Sequence, residues 1–227
     1  MITHLILLSS EDVARLGGPE EARSQIQTAV LGLRNVRSAR LTVVVDDEQR
    51  SPFARGKVEC AAFLELDFDT LSDMRSAVEE WRAAGDLGLL DGVHLVIAKK
   101  VDRAADPADL RPGSLMRVSL LGRADGISAA EFQTEWWGLH SEMVRDMPGY
   151  VRYVQNLVLD RHIKGQSVPH SAVPVDGIVE FWFPDREGFD ACYASDAFSK
   201  TAKHGAEFLQ DITTYLVETT PLEINET

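Results

Sequence analysis

The chain has 227 residues, 44% hydrophobic and 26% charged, with 16 glycines and 9 prolines, a composition that excludes a disordered or collagen-like protein. At roughly 100 to 200 residues per domain, this length admits one large domain or two small ones. Asp and Glu outnumber Lys and Arg by 36 to 23, for a formal net charge of -13, which repels phosphate backbones and anionic lipid and argues against nucleic acid and membrane as partners.

The opening Met1-Ile-Thr-His-Leu-Ile-Leu-Leu lacks a basic stretch, and its apolar run stops at Ser9, too short for a signal peptide or a membrane span. It reads as the first strand of a cytoplasmic protein. From Pro19 to Leu33, Ala22, Ile26, Ala29, Val30 and Leu33 share one helical face, and proline suits the first turn. Two β-rich runs follow, Ala39 to Val45 and Val58 to Phe68, and then a helix with Leu71, Met74, Val78 and Trp81 at helical spacing. Val93 to Ala98 closes a βαββαβ unit.

Beyond a polar linker the same order returns. Leu115 to Leu121 is a strand, and Ser128 with Glu131 forms a capping box opening a helix to about Arg145. Strands follow at Tyr150 to Leu159 and Gly177 to Phe183, then a helical stretch from Asp185 toward Phe198, then a strand from Ile212 to Val217. Sliding the halves by 115 residues places Glu65 on Glu180, Phe68 on Phe183 and Met74 on Phe189. The expected division is 1-105 for a degenerate first repeat, 106-112 for the linker and 113-227 for the second repeat.

The helices of such a unit cover one sheet face and leave the other in need of a partner. Two units in one chain can bury these faces against each other. Strand alternation puts Leu64, Leu66 and Phe68, like Val179, Phe181 and Phe183, on the helix-facing side, with Glu65 and Glu180 opposite, toward the sheet-to-sheet interior or its rim. The fold class is therefore α+β, two ferredoxin-like units forming an intramolecular α+β barrel.

Three segments of the second half resemble the EthD family of dimeric α+β barrel proteins: the run from Glu131 through Trp136-Trp-Gly-Leu-His to Val144, Met147-Pro-Gly-Tyr-Val-Arg-Tyr-Val-Gln-Asn, and Val175-Asp-Gly-Ile-Val-Glu-Phe-Trp-Phe. The resemblance implies a barrel made by paired units, in one chain as a monomeric pseudo-dimer or between chains as a homodimer. It also implies cofactor-free chemistry on small aromatic or polyketide-like compounds and lactones. Family members differ widely in reaction, and fold alone does not supply one.

His140 lies on the row Phe132, Trp136, His140, beside Leu139 and Met143, and should face the sheet, where an imidazole can move protons near neutral pH. The alternative is a buried histidine satisfied by a backbone carbonyl; the resemblance to the family's helix histidine favours catalysis. Tyr153 alternates with Val151, Gln155 and Leu157 on the apolar side of its strand, and the resemblance implies a tyrosine here that acts with the histidine. Trp136, Trp137, Met143 and Gln155 are candidates for lining a substrate pocket, although aromatic residues at helical spacing equally make plain core.

His4 and His94 form a second constellation, because the first and last strands of a βαββαβ unit are neighbours. The loop from Asp160 to Pro174 reads as a lid or a mobile connection, its His162 and His170 lacking partners at metal spacing, and His204 with Lys200 and Lys203 reads as a solvated helix end. Cys60 and Cys192 show no CxxC or Cys/His ligand spacing, so neither a disulfide framework nor a metal site is expected. No Gly-rich phosphate loop, GxSxG elbow or HExxH occurs.

Two function classes follow. One is a cofactor-independent lyase or isomerase that uses His140 for proton transfer on a small hydrophobic or aromatic substrate. The other is a non-catalytic ligand-binding or haem-handling barrel, since the wider superfamily includes proteins that bind haem through a histidine beside a sheet.

Overall fold

Strand β1 (Ile2–Leu8) sends Ile6 and Leu8 toward its own helices and Leu5 and Leu7 into a second core on the other side of the sheet, the two-sided burial that its apolar run anticipates. The computed structural model describes residues 1–50, 52–104 and 114–225; the expected linker 106-112 lies outside them. In the first unit β1 is followed by α1 (Ser10–Arg15), α2 (Pro19–Val30), β2 (Ser38–Asp46), β3 (Ala62–Phe68), α3 (Leu71–Ala84) and β4 (Val93–Arg103). The second unit runs β5 (Leu115–Arg123), α4 (Ala129–Glu135), a wide π-type turn (Trp136–His140), α5 (Ser141–Arg145), β6 (Arg152–Ile163), the short β7 (Gln166–Ser167), β8 (Gly177–Phe183), α6 (Arg186–Tyr193), α7 (Asp196–Gly205) and β9 (Leu209–Leu222).

The strands hydrogen-bond in the order β4-β1-β3-β2-β9-β5-β8-β6, and β4 pairs again with β6. Eight antiparallel strands thus close a barrel within one chain, which leaves neither sheet an open edge along these strands. Three cores result: one between the first sheet and its helices, one inside the barrel, and one between the second sheet and its helices.

Several boundaries depart from the sequence reading, each for a local reason. The two closing seams, β2 with β9 and β4 with β6, extend the last strand of each unit to Leu222 and Arg103, far beyond the apolar runs that end at Val217 and Ala98. In these extensions the pairing is made by backbone groups, so polar side chains such as Thr219 and Thr220 do not interrupt it. The loop expected as a lid or a mobile connection carries regular structure at its start: β6 continues to Ile163 and folds back through β7. Beyond β7, Asp176 accepts from Arg161 (2.8 Å) and pairs with His170 (2.9 Å). The expected helix from Asp185 is two helices, the second capped by Ser195, whose hydroxyl accepts from the Phe198 amide.

Candidate active site

The helix expected to run unbroken from Ser128 to Arg145 begins as read, with the capping box of Ser128 and Glu131, but breaks at Gly138 (φ -93°, ψ -112°). Glycine pays the largest backbone entropy in a helix, so the interruption falls there. The wide turn releases main-chain carbonyls that side chains then satisfy: Gln155 donates to the Trp136 carbonyl (2.8 Å) and Lys100 to the Trp137 carbonyl (3.0 Å). Lys100 also donates to Gln155 (3.2 Å). Turns of this kind are frequent at functional sites.

The turn, α5, α7 and the helix-facing side of the second sheet enclose a mainly apolar cavity of about 90 Å³. His140, Tyr153 and Trp136 all line it, with Arg117, Ser119 and Thr201 adding polar groups to an apolar wall that includes Phe53, Val179 and Phe198. Trp137, Met143 and Gln155 are not among the lining residues. The wide turn redirects Trp137, which packs against the surrounding core, and Gln155 is consumed by the Trp136 carbonyl and Lys100. Leu139, placed beside His140 on the expected helical face, is exposed and does not shield it.

The shielding of His140 comes from elsewhere. His204 stacks on it, with Nδ1 to Nδ1 at 3.3 Å, and Phe208 meets it edge-on at 5.3 Å between ring centroids. Burial, and then the neighbouring His204, lower the His140 pKa to about 4, so the ring is neutral at physiological pH. The Glu135 carboxylate lies 3.6 Å from His204 Nε2. In the tautomer that has His204 Nδ1 accept from His140 Nδ1, His140 Nε2 is the bare nitrogen. The solvated helix end expected at His204 is corrected accordingly: its side chain is 10% exposed and it is the ring partner of His140.

Tyr153 is buried, stacked on Phe181 at 4.7 Å. Burial drives its pKa well above the ordinary tyrosine value, opposed by hydrogen bonds with Gln155 and Trp136, so the phenol stays a neutral donor.

Arg117 is the cavity residue that sequence reasoning missed. Its guanidinium is buried, donates to Thr214 Oγ1 (2.9 Å), lies 4.2 Å over the Tyr193 ring and leaves Nε without a partner. Among the described residues no carboxylate pairs with it. The available signal was a lone charge in the apolar strand Leu115-Met-Arg-Val-Ser-Leu-Leu, a pattern that buried cations need a reason to break.

His4 and His94 do meet, Nε2 to Nδ1 at 2.7 Å, but between β1, β4 and α3, away from this cavity. Cys60 and Cys192 are free, buried thiols whose pKa burial pushes up to about 12. Among the described residues no group of three or more His, Cys, Asp or Glu could hold a metal ion, and no helix is long and apolar enough to cross a membrane.

No curated protein matches the sequence. Similar solved structures span the whole fold: an anthrone oxidase-like protein shares 12% identity over 97% of this chain and 92% of its own, with a TM-score of 0.58. A putative monooxygenase of Fusobacterium nucleatum shares 7% over 98% and 94% (TM-score 0.55), and one of Lactobacillus acidophilus shares 8% over 97% and 94% (TM-score 0.53). At such identities the likeness establishes the fold alone. Residues 124–211 match the EthD domain, and they include the helices and strands β6 and β8 that line the His140 cavity, while β5 and most of β9 lie outside the match. The protein is thus an α+β barrel closed within one chain, and it carries an EthD domain at residues 124–211.

Proposed function

We propose that the protein is a cofactor-independent lyase or isomerase that removes a proton from a small aromatic or polyketide-like compound in the His140 cavity. The observation that carries this reading is one cavity holding both a neutral, shielded imidazole and a buried guanidinium that no carboxylate pairs with among the described residues. An acidic C–H next to a carbonyl fits both. His140 Nε2 takes the proton, the electron pair moves onto the carbonyl oxygen, and Arg117 compensates the enolate charge that develops there. Tyr153 donates a hydrogen bond to a substrate oxygen and so fixes its orientation. Return of the proton to a different carbon gives isomerisation. In a β-keto acid the same enolate forms instead when the C–C bond to the carboxylate breaks, the bonding pair moving onto the carbonyl oxygen as carbon dioxide leaves, and a solvent proton relayed through His140 to the carbon completes a lyase reaction. EthD-domain membership of the residues around His140 and the apolar cavity wall support the substrate class.

The test is hydrogen exchange. A panel of enolisable aromatic and polyketide-like ketones is incubated with the protein in deuterated water, and loss of the acidic C–H signal is followed by proton NMR. The expected result is catalysed exchange that falls about 100-fold or more in His140→Gln, the usual size of a lost acid–base contribution. Equal exchange by wild type and variant would overturn the reading. Consumption of dioxygen with turnover would replace lyase or isomerase by oxidase, and a Soret band in the purified protein would favour the haem-handling alternative.

A further inference from the structure

The connection from β2 to β3 leaves the first unit and lies against the second. The Gln49 side chain makes both bonds of a strand pair with the Thr214 backbone of β9, Nε2 donating to its carbonyl (2.9 Å) and Oε1 accepting from its amide (3.0 Å). Arg50 donates to Asp190 of α6 (2.8 Å) and stands over the Phe189 ring at 4.9 Å. Further on, the Ala54 carbonyl accepts from the Ile212 amide (2.9 Å), and Ala54 forms a parallel bridge with Asp211. The Gly56 amide donates to Thr213 Oγ1 (3.0 Å). These bonds hold Phe53 from both sides, and none of them uses its ring.

Phe53 lines the His140 cavity, although it belongs to the first unit and lies outside the residues 124–211 that match the EthD domain. Gly205, the last residue of α7, shows how near it comes. A Cβ added there would stand 3.3 Å from Phe53 Cζ and 3.5 Å from His140 Cε1. The tip of the phenyl ring and the imidazole carbon bonded to both ring nitrogens therefore converge on one point of the α7 backbone.

The cavity has two walls of different chemistry. Arg117, Ser119 and Tyr153 of the sheet are buried, whereas Phe53 and, on α7, Phe198 and Ala202 are half-buried. A ligand with one polar end sets its oxygen against the sheet and its hydrocarbon against the outer wall. Phe198 and Ala202 are part of the helix that carries His204, so they are constrained by the imidazole pair. Phe53 is not: it is carried by a connection, where the side chain can change and leave the packed elements in place.

We propose that Phe53, supplied by the first unit, is the specificity-determining residue of the His140 cavity for an aryl ketone. This rests on the reading of that cavity as a site for enolisable aromatic compounds. The carbonyl lies toward Arg117 and Tyr153, and the aryl ring packs on the Phe53 phenyl, offset or edge-on as aromatic pairs prefer. The phenyl then limits how far the aryl end extends toward solvent. The first unit thus does more than complete the barrel, because it sets which substrates reach His140.

Acetophenone and 2-acetylnaphthalene test this, since they share the carbonyl end and differ by one fused ring. Each is titrated into full-length wild type and Phe53→Ala while the carbon-bound ring protons of His140 are followed by NMR, a readout that needs no turnover. Wild type should bind acetophenone the more tightly, and Phe53→Ala should shift the affinity ratio toward 2-acetylnaphthalene by about tenfold or more, the scale on which apolar pockets discriminate size. A merely structural role would weaken both ketones alike and leave the ratio unchanged. An unchanged ratio, or no perturbation of His140 by either ketone in either protein, overturns the proposal. In wild type, nuclear Overhauser contacts are expected between the Phe53 ring and the aryl protons of bound acetophenone; their absence overturns it even if Phe53→Ala does not fold. A shifted ratio without catalysed hydrogen exchange would retain Phe53 as the selecting residue and remove the proposed reaction, whereas exchange with an unchanged ratio would do the reverse.

Discussion

Arg40 of the first unit lies 2.7 Å from Glu180 of the second and at the same time 2.8 Å from Glu65 of its own sheet. All three side chains stand on the barrel side of their strands, where Lys99 joins Glu65 at 2.6 Å and Asn156 donates to Glu180 at 2.9 Å. The repeated glutamates that relate the two halves in sequence therefore meet inside the barrel, through a single guanidinium. Burial alone would raise the Glu65 pKa, but Arg40 and Lys99 overcome it and hold the carboxyl at about 2.

Arg40→Leu removes the cation that Glu180 depends on. Breaking a buried pair by deleting one partner costs about 3–5 kcal/mol, because the remaining charge is uncompensated. The expected outcome is a loss of that order in urea unfolding near neutral pH. Glu180→Gln added to Arg40→Leu should recover part of it, since the stranded charge is then gone. A loss below about 1 kcal/mol, the range of exposed pairs, would show that the cluster is solvated and not structural.

The βαββαβ order of each half was legible because apolar runs and helical faces depend on neighbouring residues, and the pairing of Glu65 with Glu180 pointed to the barrel interior. Contacts between distant segments left no such trace. His204 reaches His140 only because α7 packs against the wide turn after α4. Gln155 looked available for substrate because nothing in its strand announces a broken helix; the break at Gly138 creates the carbonyl that occupies it. Arg117 was readable as an anomaly in its strand but not as a cavity residue, since that depends on Tyr193 and Thr214, which are distant in the sequence.

Gly177 tests how tightly the cavity is built. A Cβ at this position would stand 2.6 Å from Trp136 Cζ3 and 2.7 Å from Cη2, closer than any carbon contact permits. Gly177→Ala must push the Trp136 indole, and with it the turn that carries His140. Overpacking of this kind costs about 1–3 kcal/mol. Reduced stability with an altered near-ultraviolet circular dichroism spectrum is expected; an unchanged spectrum and unfolding midpoint would mean that the indole has room to retreat.

The buried histidines make stability depend on pH in a stated direction. The pKa values of His4, His94 and His140 are lowered from 6.5 to about 3, 4 and 4. Burial is the largest cause in each, with His162 and Arg82 acting on the first pair and His204 on the third, and Asp160 and Asp86 opposing at His94. Above pH 6.5 the rings are neutral in both folded and unfolded chains. As the pH falls below 6.5 the unfolded chain binds protons that the folded rings refuse, so stability declines until the folded rings titrate near pH 4 and 3. Urea midpoints measured from pH 7 to pH 4.5 should fall steadily in wild type and less steeply in a folded His94→Asn variant. Equal slopes would remove His94 from this account.

The roles of His140, His204 and Arg117 separate kinetically once a substrate is in hand. His140→Gln keeps the approximate size of the ring and some hydrogen bonding, so a purely structural role predicts a modest loss of stability with turnover per folded molecule retained. A role as base predicts near-normal melting and binding with turnover lower by about 100-fold or more. His204 touches His140 and not the reacting atoms in this scheme, so it is a positioning residue. His204→Gln should change the pH dependence of turnover, because it removes the neighbour that helps hold the His140 pKa low and the acceptor that fixes its tautomer. Arg117→Leu removes the charge that meets the enolate, an interaction stronger in the transition state than in the bound ketone. It should therefore lower kcat more than it raises KM, by about 100-fold if it acts like a lost oxyanion donor. A rise in KM alone would make Arg117 an anchor for an acidic group already present in the substrate, with the proton transfer left to His140.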